Sequence, residues 1–182
     1  MLVDEFDREI GTCEKLAAHQ NGGRLHRAFS VFLFHPAGGN LFLQRRALGK
    51  YHFPGLWTNA CCSHPRPGEP TDAAAHRRLG EELGLDTEIT EAFSFVYRAE
   101  DPESGLTEHE FDHVFVGAFD GEPNLNFEET DAYRWIGREE LLAELATLPE
   151  NFTPWFKIAL ERVLEHPPVR SSLPFCLGKR RR

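Results

Sequence analysis

The chain has 182 residues, 41% hydrophobic and 27% charged, with a formal net charge of −9. That length suffices for one domain with a buried core, and the acidic balance argues against nucleic acid as a general partner. No apolar run is long enough to span a bilayer and no charged-then-apolar leader opens the chain, so no membrane association is expected. Cys13, Cys61, Cys62 and Cys176 are too few for a disulfide framework at this size, which points to free thiols and a cytoplasmic location. A single domain over 1–182 is expected, a monomer or weak dimer, ending in a disordered basic tail at 179–182.

In chain order, residues 1–15 are acidic and mixed, and predict a short strand or arm with a turn at Gly11. RAFSVFLFH is a strand dense enough in apolar residues to be buried on both faces. PAGGN supplies a turn, and LFLQRR reads as the return strand of a hairpin. Residues 47–59 are irregular, punctuated by Gly49, Pro54 and Gly55. Pro70 and Thr71 open a helix, with Thr71 as its N-cap, and Gly84 ends it. AFSFVYRAE, EFDHVFVGAF and AYRWIG follow as strands. REELLAELAT and TPWFKIALERVLEH are helices, the second with Thr153 as N-cap and Pro154 at its first position, and PPVRSSLPF is extended. Strands on both sides of a central helix, then two further helices, predict an α+β domain with a mixed sheet flanked by helices.

The stretch from Thr58 to Leu85 organises the rest. Arg78 and Glu82 stand four apart on one helix face, a spacing that alone predicts no more than an exposed ion pair. With Glu69, the run Arg77-Arg78-Leu79-Gly80-Glu81-Glu82-Leu83-Gly84-Leu85 resembles the Nudix box, whose carboxylates hold a divalent cation against a diphosphate. Ser63 stands where that box opens with Gly, and Arg78 where it has Glu. The exchange removes an oxygen ligand and adds a guanidinium able to grip phosphate. A Nudix-like fold is implied, with diphosphate binding favoured over hydrolysis.

Nine histidines make any single one weak evidence. His35, His52, His76, His109, His113 and His166 have no evident partners in the sequence and read as surface or structural. His19 and His26 differ because they bracket the flexible NGGRL, and His64 because it follows Cys62 by two. Glu108 and Glu110, also two apart in extended chain, share a face. Three imidazoles and two carboxylates would make a mixed nitrogen and oxygen site suited to Zn, Mn or Fe. Spacing alone leaves scattered surface polar residues as the simpler explanation.

EKLAAHQNGGRLHRAFSVFLF, RRALGKYHFPGLWTNACCSHP, the central helix, YRAEDPESGLTEHE and FTPWF together resemble the type I isopentenyl-diphosphate isomerases, a Nudix-fold family that moves a double bond. The resemblance implies a small-molecule substrate, isopentenyl diphosphate, converted to dimethylallyl diphosphate by adding one proton and removing another on opposite faces of the alkene. It implies Mn2+ or Zn2+ on His19, His26, His64, Glu108 and Glu110, and Mg2+ on Glu82 with the substrate diphosphate. It also implies Cys62 as a catalytic thiolate and Glu110 with Tyr97 as the second acid–base group. Trp155 would face the carbocation, and Lys15, Arg46, Lys50 and Arg78 would clamp the diphosphate. The alternatives are a Nudix diphosphate hydrolase and a metal-binding scaffold without turnover.

Overall fold

A computed structural model describes residues 1–166; the segment 167–175 expected to be extended, Cys176 and the basic run Lys179–Arg182 lie outside the described residues. Two short strands, β1 (Leu2–Val3) and β2 (Glu9–Gly11), form the predicted N-terminal arm. A five-residue helix, α1 (Lys15–His19), follows, its first turn capped by the Glu14 carboxylate, which accepts from the Ala17 amide.

The chain then enters β3 (His26–Phe34), the centre of the sheet. It is followed by β4 (Leu41–Arg46), β5 (Trp57–Thr58) and β6 (Cys61–Ser63). After the helix α2 (Thr71–Leu83) come β7 (Ile89–Glu100), β8 (Thr107–Ala118) and β9 (Thr130–Ile136). The helix α3 (Arg138–Thr147), a 3-10 turn at Pro149–Asn151 and the helix α4 (Pro154–Glu165) complete the described chain.

β3 runs parallel to β8, from His26 opposite Glu110 to Phe34 opposite Ala118, and antiparallel to β6 on its other side. The sheet is therefore mixed, as predicted. The β3–β4 hairpin is narrower than the sequence suggests: only Phe34 and Leu41 pair, after which β4 departs to pair with β5 and β9. β6 fills the gap that opens beside β3. No helix among the described residues is long and apolar enough to cross a membrane.

The apolar density of β3 is used on both faces. Phe29, Val31 and Leu33 point into a core completed by Ala74, Ala75, Leu79 and Leu83 of α2. Phe32 and Phe34 point the other way, into a core with Trp155, Phe156 and Leu160 of α4. The same alternation separates the adjacent cysteines: Cys61 packs in the α2 core and Cys62 against the α4 core.

α2 ends as predicted, with Gly84 left-handed at φ 63° and its N–H on the Gly80 carbonyl. Its start differs. Pro70 occupies the cap position, Thr71 is the first helical residue, and no side chain caps the helix. Pro70 satisfies the geometry by its fixed φ, here −59°, so the hydroxyl is not needed there.

Candidate active site

Two glycines bring the first ligands in. Gly23 (φ +75°) passes so close to β8 that a Cβ there would lie 2.8 Å from the Thr107 carbonyl oxygen and 3.1 Å from His109 Cβ. Gly22, also left-handed, offers its carbonyl to Arg98 Nε at 3.1 Å. This tight passage delivers His19 at the end of α1 and His26 at the start of β3 to Glu108 and Glu110.

His19, His26, His64, Glu108 and Glu110 each present one donor atom, and these atoms all lie within 4.8 Å of one another. The Nδ1 of His19 faces the Lys15 carbonyl at 2.7 Å, and that of His26 the Arg24 carbonyl at 2.7 Å. A carbonyl only accepts, so both Nδ1 atoms carry the proton and both Nε2 atoms turn a lone pair into the cluster. His19 Nε2 and Glu108 Oε2 are buried 3.0 Å apart without the alignment of a hydrogen bond, and neither has a partner. Fixed tautomers, orphaned buried donors and a mixed nitrogen and oxygen set fit a divalent cation.

Glu110 is the most connected member. Its Oε1 meets His64 Nε2 at 2.8 Å, and its Oε2 accepts from the Tyr97 hydroxyl at 2.6 Å. Burial opposes its ionisation, yet His26 and His64 hold it well below the usual carboxylate range. The buried Tyr97 phenol is pushed well above its ordinary value, first by desolvation and then by Glu110, so it stays a donor. Burial brings His64 down to about 4, which keeps that ring neutral.

A cleft open to solvent joins this cluster to Cys62, Trp155 and the cations Lys15, Arg46, Lys50 and Arg78. Cys62 and Glu110 reach it from β6 and β8, the two strands that flank β3. Trp155 donates its indole N–H to Asn59 Oδ1 at 3.2 Å, and Asn59 in turn donates to the carbonyls of Val31 and Cys61. The Arg46 guanidinium stands 5.3 Å from the centre of the Trp155 ring.

With this geometry in view, a NUDIX domain model matches residues 24–156. The chain is 52% identical over 164 residues to isopentenyl-diphosphate delta-isomerase 2 of Aromatoleum aromaticum, covering 90% of this chain and 85% of that one. It is likewise 52% identical over 162 residues to the isopentenyl-diphosphate delta-isomerase of Burkholderia multivorans, 89% of this chain and 90% of that one. The chain belongs to the isopentenyl-diphosphate delta-isomerase family, within the Nudix superfamily. A solved MutT NUDIX hydrolase from Burkholderia pseudomallei shares the fold, with a TM-score of 0.60 at 24% identity over 77% of this chain and 98% of that one.

Several of these residues have surroundings that the sequence did not specify. His52, grouped with the surface or structural histidines, is buried in the cleft wall with Nε2 on Glu108 Oε1. The loop carrying it is pinned by Arg46, which donates to the His52 and Phe53 carbonyls at 3.0 Å each. Asp101 accepts from the Phe53 amide on the same loop. An irregular loop has no periodicity from which such placement could be read.

Burial pushes the Cys62 thiol up to about 12, opposed by Arg46, whose Nη1 is 3.8 Å from the sulfur. Glu82, read from spacing alone as half of an exposed pair, is buried, accepting from Arg78 at 2.6 Å and from Gln44 at 3.1 Å. Its carboxylate meets the cleft wall at Arg78.

Two buried or half-buried acids were missed. Asp112, fully buried, accepts from Ser30 at 2.8 Å, and burial together with Glu110 raises it well above the carboxylate range. It extends the Glu108, Glu110 alternation by one step, which was the available signal. Glu129 bonds both Lys50 and Arg78, so two cations of the expected clamp already hold a carboxylate. No sequence spacing connects those three residues.

Proposed function

We propose that this chain interconverts isopentenyl diphosphate and dimethylallyl diphosphate, with the chemistry shared between Cys62 and Glu110. The observation that carries this is their arrival in one cleft from opposite sides of β3, beside Trp155 and the cluster of cations. Moving the double bond requires one proton added at the terminal alkene carbon and one removed from the carbon on the other side of the alkene. Two acid–base groups within reach of one short chain supply that need.

The family resemblance assigns proton delivery to Glu110, with Tyr97 bound to it, and proton removal to Cys62. The indole of Trp155 faces the positive charge that develops between the two transfers, a contact worth about 2 kcal/mol when desolvated. Lys15, Arg46, Lys50 and Arg78 bind the diphosphate and hold the alkene in register.

His19, His26, His64, Glu108 and Glu110 would hold Mn2+ or Zn2+, and Glu82 would contribute to Mg2+ bound with the diphosphate. The first cation would fix the orientation and acidity of Glu110. Incubation with isopentenyl diphosphate tests the reading: the account expects dimethylallyl diphosphate, and release of phosphate without isomer would favour hydrolysis. Deuterium uptake at one carbon alone in Glu110→Gln, run in deuterated water, would identify which transfer Cys62 performs.

A further inference from the structure

Glu129 sits immediately before β9, on the loop that closes against α2. Its backbone carbonyl accepts from the Ala47 amide at 3.0 Å, tying it to the loop that carries Lys50. One carboxylate oxygen meets Lys50, and the other accepts from Arg78 Nη2 at 2.9 Å. That nitrogen also donates to Glu82 at 2.6 Å, so one positive nitrogen lies between two carboxylates. Burial works against ionisation of Glu129, but Lys50 and Arg78 bring it down to about 2, and it is an anion near neutral pH.

This arrangement changes the charge that a diphosphate meets. Of the four cations lining the cleft, Lys50 and Arg78 are already matched by Glu129 and Glu82. Glu81, the other carboxylate on Arg78, is shared with Arg77 near the surface. Among the described residues, Lys15 and Arg46 have no carboxylate partner: Lys15 lies 5.6 Å from the Tyr51 ring centre, and Arg46 is spent on carbonyls. Two unmatched positive charges therefore face a diphosphate ester carrying about three negative ones, counting a terminal phosphate and the inner phosphoryl. The shortfall is met by a divalent cation, which takes carboxylate and phosphate oxygens together.

We propose that Glu129 is a specificity-determining residue that makes the clamp select the divalent-cation complex of a diphosphate over the free anion. With Glu129 charged, a bare diphosphate must compete with a carboxylate for Lys50 and Arg78. A cation carried with the diphosphate converts that repulsion into attraction. The inference rests on the diphosphate-binding reading of this cleft, and its test is a binding measurement independent of turnover.

Calorimetric titration of inorganic pyrophosphate into the full chain, without added divalent cation and with excess magnesium, decides it. In the wild type, magnesium strengthens binding. In Glu129→Gln, binding without magnesium becomes at least tenfold tighter and the magnesium enhancement shrinks by a similar factor. Glu129→Asp, which keeps the charge, retains the wild-type enhancement, and Glu129→Ala loses it as Glu129→Gln does. Equal magnesium enhancement in wild type and Glu129→Gln overturns the proposal, as does uniform weakening in both conditions, which would make Glu129 a brace only. Failure of the wild type to form dimethylallyl diphosphate would remove the proposed reaction, while the pyrophosphate titrations would still decide the part played by Glu129.

Discussion

In the proposed reaction Cys62 and Glu110 divide one task, so removing either side chain's acid–base atom is expected to stop it. Cys62→Ala and Glu110→Gln are each expected to lower product formation by at least about a hundredfold, with the far-ultraviolet circular dichroism of the wild type. Turnover retained in either variant would contradict the shared role. His52 stands one contact further out, on Glu108, a proposed metal ligand. A partner that orients a metal ligand typically accounts for about 10–100-fold in metal affinity. His52→Gln is expected to weaken metal binding on that scale in a competition titration, and unchanged affinity would reduce His52 to a wall residue. The contrast between these residues shows what was legible. Cys62 and His64 carry a two-residue spacing, and Glu108 and Glu110 another, within recognisable motifs. His52 and Glu129 sit on irregular segments, and only folding gives them partners.

At the scale of elements, α2 and the two glycine-dependent approaches hold the site together. Gly84 ends α2 in a left-handed conformation, and a Cβ there would lie 2.8 Å from Asn124 Cβ. Gly84→Ala is expected to destabilise the fold by at least about 1–2 kcal/mol from the backbone alone, read as a lower urea midpoint with an unchanged slope. The start of α2 carries a pH signature. Glu69 accepts from Arg77 at 2.7 and 2.8 Å, which lowers it from 4.5 to about 2, and Glu129 is lowered to a similar value. A folded-state value below the unfolded one gives stability that is full above about pH 4.5 and lost as pH falls towards 2. Urea melts across that window should show the loss, and Glu69→Gln should reduce it; a flat profile would mean that solvent screens the pair. The central helix and its Gly stop were readable from the sequence, as were the strands. The narrow β3–β4 pairing was not, because the departure of β4 towards β5 and β9 depends on strands distant in the chain.

For the whole molecule, one strand organises both the core and the chemistry. β3 is apolar on two faces because α2 covers one and α4 the other, and its two neighbours carry Cys62 and Glu110 to the same cleft. The Nudix fold by itself does not choose the reaction, since a hydrolase shares it. The departure at Arg78 and the set His19, His26, His64, Glu108 and Glu110 were visible as residue types, and the mixed α+β sheet as a pattern. Their convergence within 4.8 Å required the fold. The most direct measurement is to incubate the metal-reconstituted protein with isopentenyl diphosphate in deuterated water and follow it by nuclear magnetic resonance. The account predicts dimethylallyl diphosphate bearing deuterium at the carbon that gains a proton, with the diphosphate intact. Release of phosphate or pyrophosphate with no isomer formed would contradict it.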